Sequence, residues 1–448
     1  MKIIDSVAAV FCHERRVLAV RRQSHLNVFP GYDSFPGGKI DRVDLPSQHP
    51  TKFLCNLDGK KAHALVRELK EELGYDLTSE INSGQVNSVK YLASALAPIT
   101  SPVRFRLCFF RIDLNEIPEF FPDRGEIEDL FWVTPEEWLE SYQRGEVLMV
   151  PPLRLLLKEL TNCPQGSDFG DISLKFDEED AIPVVELLSG LQMLFVPSRT
   201  LPPASRTNAF IIGDDNSCKI LVDPSPKSSE DFQKLLRALH SHDIHALFIT
   251  HHHIDHHEQS PQLAKQLNVP MWMSEDTRNR IISKFGNDYF SGVVIEIKQG
   301  GDKLTEWKGE AVCVCPVPGH DAGQLGLAAE SMCWFIVGDI VQEKGSVVIL
   351  EPAGDMASYF ETLENLIELD PKFILPSHGL PMRSVYRLRA ALQHRRDREK
   401  SIYELHKSGK TENEILDCLY QGLDQGLIRW ARENIKAHLT KLVKEGKI

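Results

Sequence analysis

The sequence predicts a multidomain α/β and α+β protein closed by a small helical domain, and three observations predict it. The chain is 448 residues long, which at roughly 100 to 200 residues per domain makes room for two to four. A polar, acidic stretch from Thr161 to Pro183, with Gly and Pro at both ends, divides two regions rich in short apolar runs. Past Arg383 the pattern turns helical, with Val385, Leu388 and Leu392 on one face. The expected divisions are a first domain at 1–160, a linker at 161–182, a second domain at 183–381 and a C-terminal domain at 382–448.

Composition narrows the class. Hydrophobic residues make up 42% and charged residues 26%, the balance of a soluble globular protein rather than a disordered, collagenous or membrane one. No run reaches the roughly eighteen apolar residues of a membrane helix. The start, Met1 to Asp5, lacks the charged-then-apolar order of a signal peptide, so a cytoplasmic location and no membrane partner are expected. The 9 cysteines are scattered, with no CxxC pair, and read as reduced, buried small side chains. A formal charge of −13 excludes the whole surface as a nucleic-acid footprint. Residues 383–448, however, hold 15 Lys and Arg against 9 Asp and Glu, a local net of +6. Those charges read equally as a solvated helical face or as a nucleic-acid contact. Monomer and dimer both suit this composition.

In the first domain, apolar runs (VAAVFC, RVLAV, RFRLCFFRI) alternate with turns, and Lys61 to Leu73 reads as a helix. On it Glu68, Glu71 and Glu72 fall at i, i+3 and i+4, so three carboxylates converge and repel. A hard cation such as Mg²⁺ or Mn²⁺ offsets that repulsion and bridges to substrate phosphates, with Arg67 placed to orient one carboxylate. The same spacing alone also suits a surface helix carrying Glu and Lys for solubility. Together with SFPGG at 34–38, however, the stretch RELKEELGY at 67–75 resembles the Nudix box, G-x(5)-E-x(7)-R-E-U-x-E-E-x-G-U, where U is bulky and apolar. Gly38 fits the leading glycine and Asp44 stands in place of the first Glu. Twenty-two residues, not seven, separate Asp44 from Arg67, an insertion similar to that of coenzyme A diphosphatases. GEIEDLFWVTPEEW at 125–138 looks like the closing strand and helix. The resemblance implies a Nudix fold over 1–160. It also implies that Glu68, Glu71 and Glu72 hold Mg²⁺ or Mn²⁺ and help to activate a water against a nucleoside-diphosphate-linked substrate, with Glu71 and Glu72 catalytic.

In the second domain each apolar run ends in polar residues: KILVDPS at 219–225, ALFITHHHIDHH at 246–257, CWFIVGDI at 333–340 and KFILPSHG at 372–379. Ligands at strand ends are typical of open sheets. His251, His253, Asp255 and His256 crowd six positions, and imidazole with carboxylate is the usual ligand set of Zn²⁺ or a similar transition metal. His320, Asp339 and His378 end later runs. The series H-x-H-x-D-H, G-H, G-D and S-H-G resembles the metallo-β-lactamase fold, an αββα sandwich. It implies one metal on His251, His253, His320 and Asp339 and a second on Asp255, His256, His378 and the bridging Asp339. Two such cations, on the order of 4 Å apart, lower the pKa of a shared water and stabilise an oxygen that gains charge, so hydrolysis follows. Asp255 is expected to orient the nucleophile. Asp223 reads either as support for the ligand strand or as a turn cap. Where the family often shows two glycines shortly after this motif, His257, Glu258 and Gln259 follow here, and His257 reads as a supporting or solvent-facing imidazole.

The C-terminal domain carries a capping box, Thr411 with Glu414, and an apolar stripe Ile428, Ala431, Ile435, Leu439, Leu442; Lys444 to Ile448 suits a short wing hairpin. From Leu380 onward, HRRDRE and HLTKLVKEGKI resemble the winged-helix-like extension of the β-lactamase-like endoribonucleases. That resemblance implies a single-stranded RNA substrate, with Arg395, Arg396 and Arg398 as RNA contacts or, equally, as packing residues. No aromatic stripe accompanies them. A small ester or thioester substrate, as in glyoxalase II-like hydrolases beside a coenzyme A-type Nudix diphosphatase, is the rival expectation.

Overall fold

The computed structural model describes residues 2–97, 103–166, 168–174 and 180–448. The chain forms two compact units, residues 1–193 and 194–448. Among the described residues no helix is long and apolar enough to cross a membrane.

The first unit is built on one mixed sheet. The strands Asp33–Ser34, Arg16–Arg22, Lys2–His13, Val103–Leu114 and Val86–Leu96 lie in that order, and Ile127–Val133 also pairs with Arg16–Arg22. Lys2–His13 runs parallel to Val103–Leu114 at the sheet centre. Its apolar residues point alternately to the two faces, as the period of two demands. Val7, Ala9 and Phe11 pack with Leu65, Leu69 and Leu73 of the helix Gly59–Leu73. Ala8, Val10 and Cys12 pack with Trp138, Leu156 and Leu160 of the helices Pro135–Gln143 and Pro151–Asn162. Helix Gly59–Leu73 starts where the Asp58 carboxylate accepts from Lys61 N–H and stops at Gly74, whose φ of 63° only glycine adopts readily. The expected linker contributes to this unit. Phe169 N–H donates to Leu92, Ile172 N–H to Ser94 and Leu96 N–H to the Ser173 hydroxyl, so residues 169–173 line the edge of strand Val86–Leu96. Residues 167 and 175–179 of that segment lie outside the described residues.

The second unit is a sandwich of sheets. One sheet places Ile295–Ile297, Met271–Met273, Ala246–Phe248, Ile220–Val222, Arg206–Ile212 and Leu191–Pro197 side by side, the last strand spanning the limit of the unit. The other runs Lys303–Trp307, Glu310–Pro316, Leu325–Ala329, Trp334–Gly338, Phe373–Pro376 and Met382–Arg383. Helices Met356–Leu369 and Tyr386–Lys407 cover the second sheet through Tyr359, Leu363, Leu388 and Leu392. The sheets meet at one end, where Asn208 donates through its backbone to Ser377 O and through its side chain to Pro376 O, and Leu325 N–H donates to Thr250 O.

The capping box of Thr411 and Glu414 forms as expected and starts the helix Glu412–Leu419. The wing hairpin does not form. Helix Gln425–Lys444 absorbs Lys444, and Gly446 at φ 67° closes a Schellman turn, with Gly446 N–H on Val443 O and Lys447 N–H on Leu442 O. A glycine just past a basic last turn is a helix stop. The long helices are joined by a buried ionic cluster, in which Glu399 accepts from Lys441 at 2.8 Å and faces His438 Nδ1 at 3.2 Å.

Candidate functional site

The first constellation is organised by Arg67. Its Nε and Nη2 grip both oxygens of Asp44 at 3.1 and 3.0 Å, and its Nη1 donates to Glu68 at 2.7 Å and Glu71 at 3.0 Å. The long insertion therefore loops out and returns Asp44 to the helix. Asp44 is buried; burial raises its carboxyl, but Arg67 and the Asp41 N–H outweigh that and hold it below the usual range. Glu72 is buried and accepts from Gly37 N–H at 2.7 Å, and burial pushes its carboxyl up to about 8. Burial also raises Glu68, so these two carboxylates need a nearby cation to ionise together. Glu71 stays exposed. The FPGG turn has a steric cause. A Cβ on Gly37, at φ 142°, would lie 2.2 Å from Val7 O, and one on Gly38 would lie 2.3 Å from Glu68 Oε2.

The second constellation gathers side chains from the ends of four strands. His251, His253, Asp255 and His256 follow Ala246–Phe248; His320 follows Glu310–Pro316, Asp339 follows Trp334–Gly338 and His378 follows Phe373–Pro376. His253 Nδ1 lies 3.0 Å from His251 Nε2 and 2.8 Å from His320 Nε2. Asp339 Oδ2 lies 3.6 Å from His256 Nε2, 3.7 Å from His320 Nε2 and 3.4 Å from His378 Nε2, and Asp255 Oδ2 lies 3.5 Å from His378 Nε2. Two donor groups result, His251 with His253 and His320, and Asp255 with His256 and His378; Asp339 also groups with His251 and His256.

The electrostatics suit cations. Burial holds His251 well below its ordinary pKa and pushes His253 down to about 3, leaving neutral imidazoles, the form that ligates metal. Burial opposes charge on His378 as well, yet Asp339 and Asp255 outweigh it and carry that ring up to about 10. The buried atoms His256 Nε2 and Asp339 Oδ1 have no hydrogen-bond partner in the protein. Buried polar atoms left unpaired in a ring of imidazoles and carboxylates fit a divalent transition metal.

Asp223, at the end of a fifth strand, follows Ile220–Val222 and supports this site. Its Oδ1 accepts from Thr250 N–H at 2.8 Å, and its Oδ2 takes the Thr250 hydroxyl at 2.7 Å and lies 2.8 Å from His256 Nδ1. That contact fixes the tautomer of His256 and aims Nε2 at the cluster. Asp223→Ala is expected to weaken metal binding by about 10- to 100-fold, read by chelator competition, with the strands intact. His320 and His378 are held the same way, by Val348 O at 2.8 Å and Arg206 O at 2.9 Å. His257 is buried between Tyr289 OH at 2.7 Å and His252 O at 2.9 Å. Sequence reasoning passed over half-buried His252 and buried Asp321, a close pair beside His253 whose only signal was adjacency to ligand candidates.

The cluster opens into a cleft of 560 Å³, walled by Arg199, Lys284, Arg395 and Arg398 and by residues of the last two helices, among them Tyr420 and Trp430. Arg395 is buried and donates to Val347 O; Arg398 donates to Leu419 O at 3.1 Å. Arg396 stands outside this cleft, paired with Glu364 at 2.5 Å on the surface.

Three family models match the chain in succession: the NUDIX domain over residues 2–150, the metallo-beta-lactamase superfamily over 202–378 and the beta-lactamase associated winged helix domain over 411–448. The chain is a NUDIX and metallo-beta-lactamase fusion. Both catalytic modules of the fusion are hydrolase domains of families that use divalent metals. It is 25% identical over 257 residues to the beta-lactamase-like protein 2 homolog of Drosophila melanogaster, covering 54% of the fusion and 84% of the relative. It is also 26% identical over 179 residues to a hydroxyacylglutathione hydrolase of Hamiltonella defensa, 39% of the fusion and 64% of the relative. A metallo-beta-lactamase family structure from Thermus thermophilus aligns at a TM-score of 0.47 and 21% identity, over 57% of the fusion and 94% of that chain.

Proposed function

We propose that the fusion is a bifunctional metal-dependent hydrolase whose second unit, with two Zn²⁺ or similar ions, cleaves single-stranded RNA, and whose NUDIX domain, with Mg²⁺ or Mn²⁺, hydrolyses a nucleoside-diphosphate-linked compound. The observation that carries the RNA reading is the cleft. The metal cluster opens between cations of the sandwich, Arg199 and Lys284, and cations of the helical domain, Arg395 and Arg398. A polyanion threaded there meets positive charge on both sides of the scissile position.

His251, His253 and His320 would hold one ion and Asp255, His256 and His378 the other, with Asp339 between them. Ions so placed supply Lewis-acid stabilisation and a nucleophile at neutral pH. The protein's own part is positional. Asp223, Val348 O and Arg206 O aim three imidazoles, while burial keeps the cluster dry enough for its charges to act strongly. In the NUDIX domain the single Arg67 Nη1 holds Glu68 and Glu71 together and Gly37 N–H orients Glu72; these three carboxylates would hold a divalent cation that neutralises substrate phosphates.

A second reading, thioester hydrolysis, is favoured by the similarity to hydroxyacylglutathione hydrolases. Salt separates the two. RNA affinity is expected to fall with salt, and Lys284→Gln to flatten the log–log slope by about 0.7, one phosphate contact on a single strand. Thioester turnover with no salt-dependent RNA binding would instead support the second reading.

A further inference from the structure

Resting on the RNA reading above, we propose that Tyr420 and Trp430 form a stacking subsite that takes one unpaired base of the strand whose phosphodiester lies at the histidine cluster. Neither ring is explained by the metal site, and both line the same cleft as His253, Asp255, Asp339 and His378. Along helix Gln425–Lys444 the cleft residues are Leu427, Trp430, Ala431 and Asn434, the i, i+3, i+4, i+7 spacing of a single helical face. Trp430 is half-buried and stands outside the cluster of Ile402, Ile415, Leu416, Ala431, Ile435 and Leu442 that packs the helical domain. A large indole in the wall of this cleft, with the Arg429 guanidinium 5.0 Å from its ring centre, offers a flat apolar face to a ligand. Tyr420, capping the end of helix Glu412–Leu419, already stacks on one cation, the Arg398 guanidinium 4.5 Å from its ring centre. Base, aromatic ring and guanidinium stack in this way in sequence-tolerant single-strand binding.

One loop ties this face to the histidine cluster. Ile349 N–H donates to Asn434 Oδ1 at 3.0 Å, and the adjacent Val348 O faces His320 Nδ1 at 2.8 Å. A metal ligand and the aromatic helix face are therefore both tied to consecutive residues. The subsite is rigid relative to the reacting centre, as a register-setting contact must be.

The test uses the full metal-loaded chain and a labelled single-stranded oligoribonucleotide, together with copies of it carrying one abasic position at a time. Trp430→Leu is expected to raise KM on the order of 10-fold or more with kcat nearly unchanged, and Trp430→Phe to restore most of the loss. One abasic position is expected to cost the wild type a similar factor and to cost Trp430→Leu nothing further. Wild-type cleavage with no abasic penalty at any position overturns the subsite and leaves the RNA reading standing; this arm needs no variant to fold. Cleavage absent in the metal-loaded wild type defeats the RNA reading and the subsite with it. A KM rise in Trp430→Leu confined to an acyl thioester reassigns the wall to an acyl chain and overturns the base assignment.

Discussion

Asp339→Ala lowers the metal bound by the second unit by at least about one ion per chain and slows hydrolysis there by about 10³-fold or more. The expectation follows from position. Asp339 is the carboxylate whose Oδ2 lies within 3.7 Å of imidazoles from both donor groups, His320 on one side and His256 and His378 on the other. Removing it takes from His256 one of the three carboxylates, and from His378 one of the two, that oppose their burial, and would leave both proposed cation positions one donor short. Metal analysis with activity on the same sample checks it. Unchanged metal content would remove Asp339 from the site.

The second large effect belongs to the NUDIX domain. Glu71→Gln is expected to reduce hydrolysis of nucleoside-diphosphate-linked compounds by about 10²- to 10³-fold, while thermal unfolding stays within about 0.5 kcal/mol of wild type. Glu71 makes this separation possible. Unlike buried Glu68 and Glu72 it is exposed, with a side chain 61% accessible and one contact to Arg67. The amide keeps the shape and removes the charge that a cation would need. Equal activity in the variant would leave the carboxylates as a scaffold around Arg67. RNA cleavage by the second unit should be unaffected, which makes it an internal control for folding.

The two sites differ in how far the sequence reveals them. The histidine cluster is legible because four of its members occupy positions 251–256 and the rest end separate apolar runs, so strand-end placement alone brings them together. The support given by Asp223 is not legible. A turn cap and a ligand brace look the same until His256 Nδ1 is found 2.8 Å away. The pairing of Asp44 with Arg67 is obscured by the insertion between them, because loop closure over such a span leaves no periodic signal. Tyr420 and Trp430 show no stripe since they sit on different elements and share only the wall of one cleft. The wing failed for a local reason, as Gly446 stops a helix where a hairpin turn was expected. The stretch at 169–173 has the composition of a linker and yet borders a strand, because backbone donors and acceptors pair regardless of side-chain polarity.

The most direct test of the central claim is cleavage of a labelled single-stranded RNA by the full chain and by Asp255→Ala, with metal content determined on both. Wild type bearing transition metal and cutting the strand, with cleavage lost in Asp255→Ala, is the predicted result. A fully metallated wild type that leaves the RNA intact while releasing thiol from an acyl thioester would contradict it.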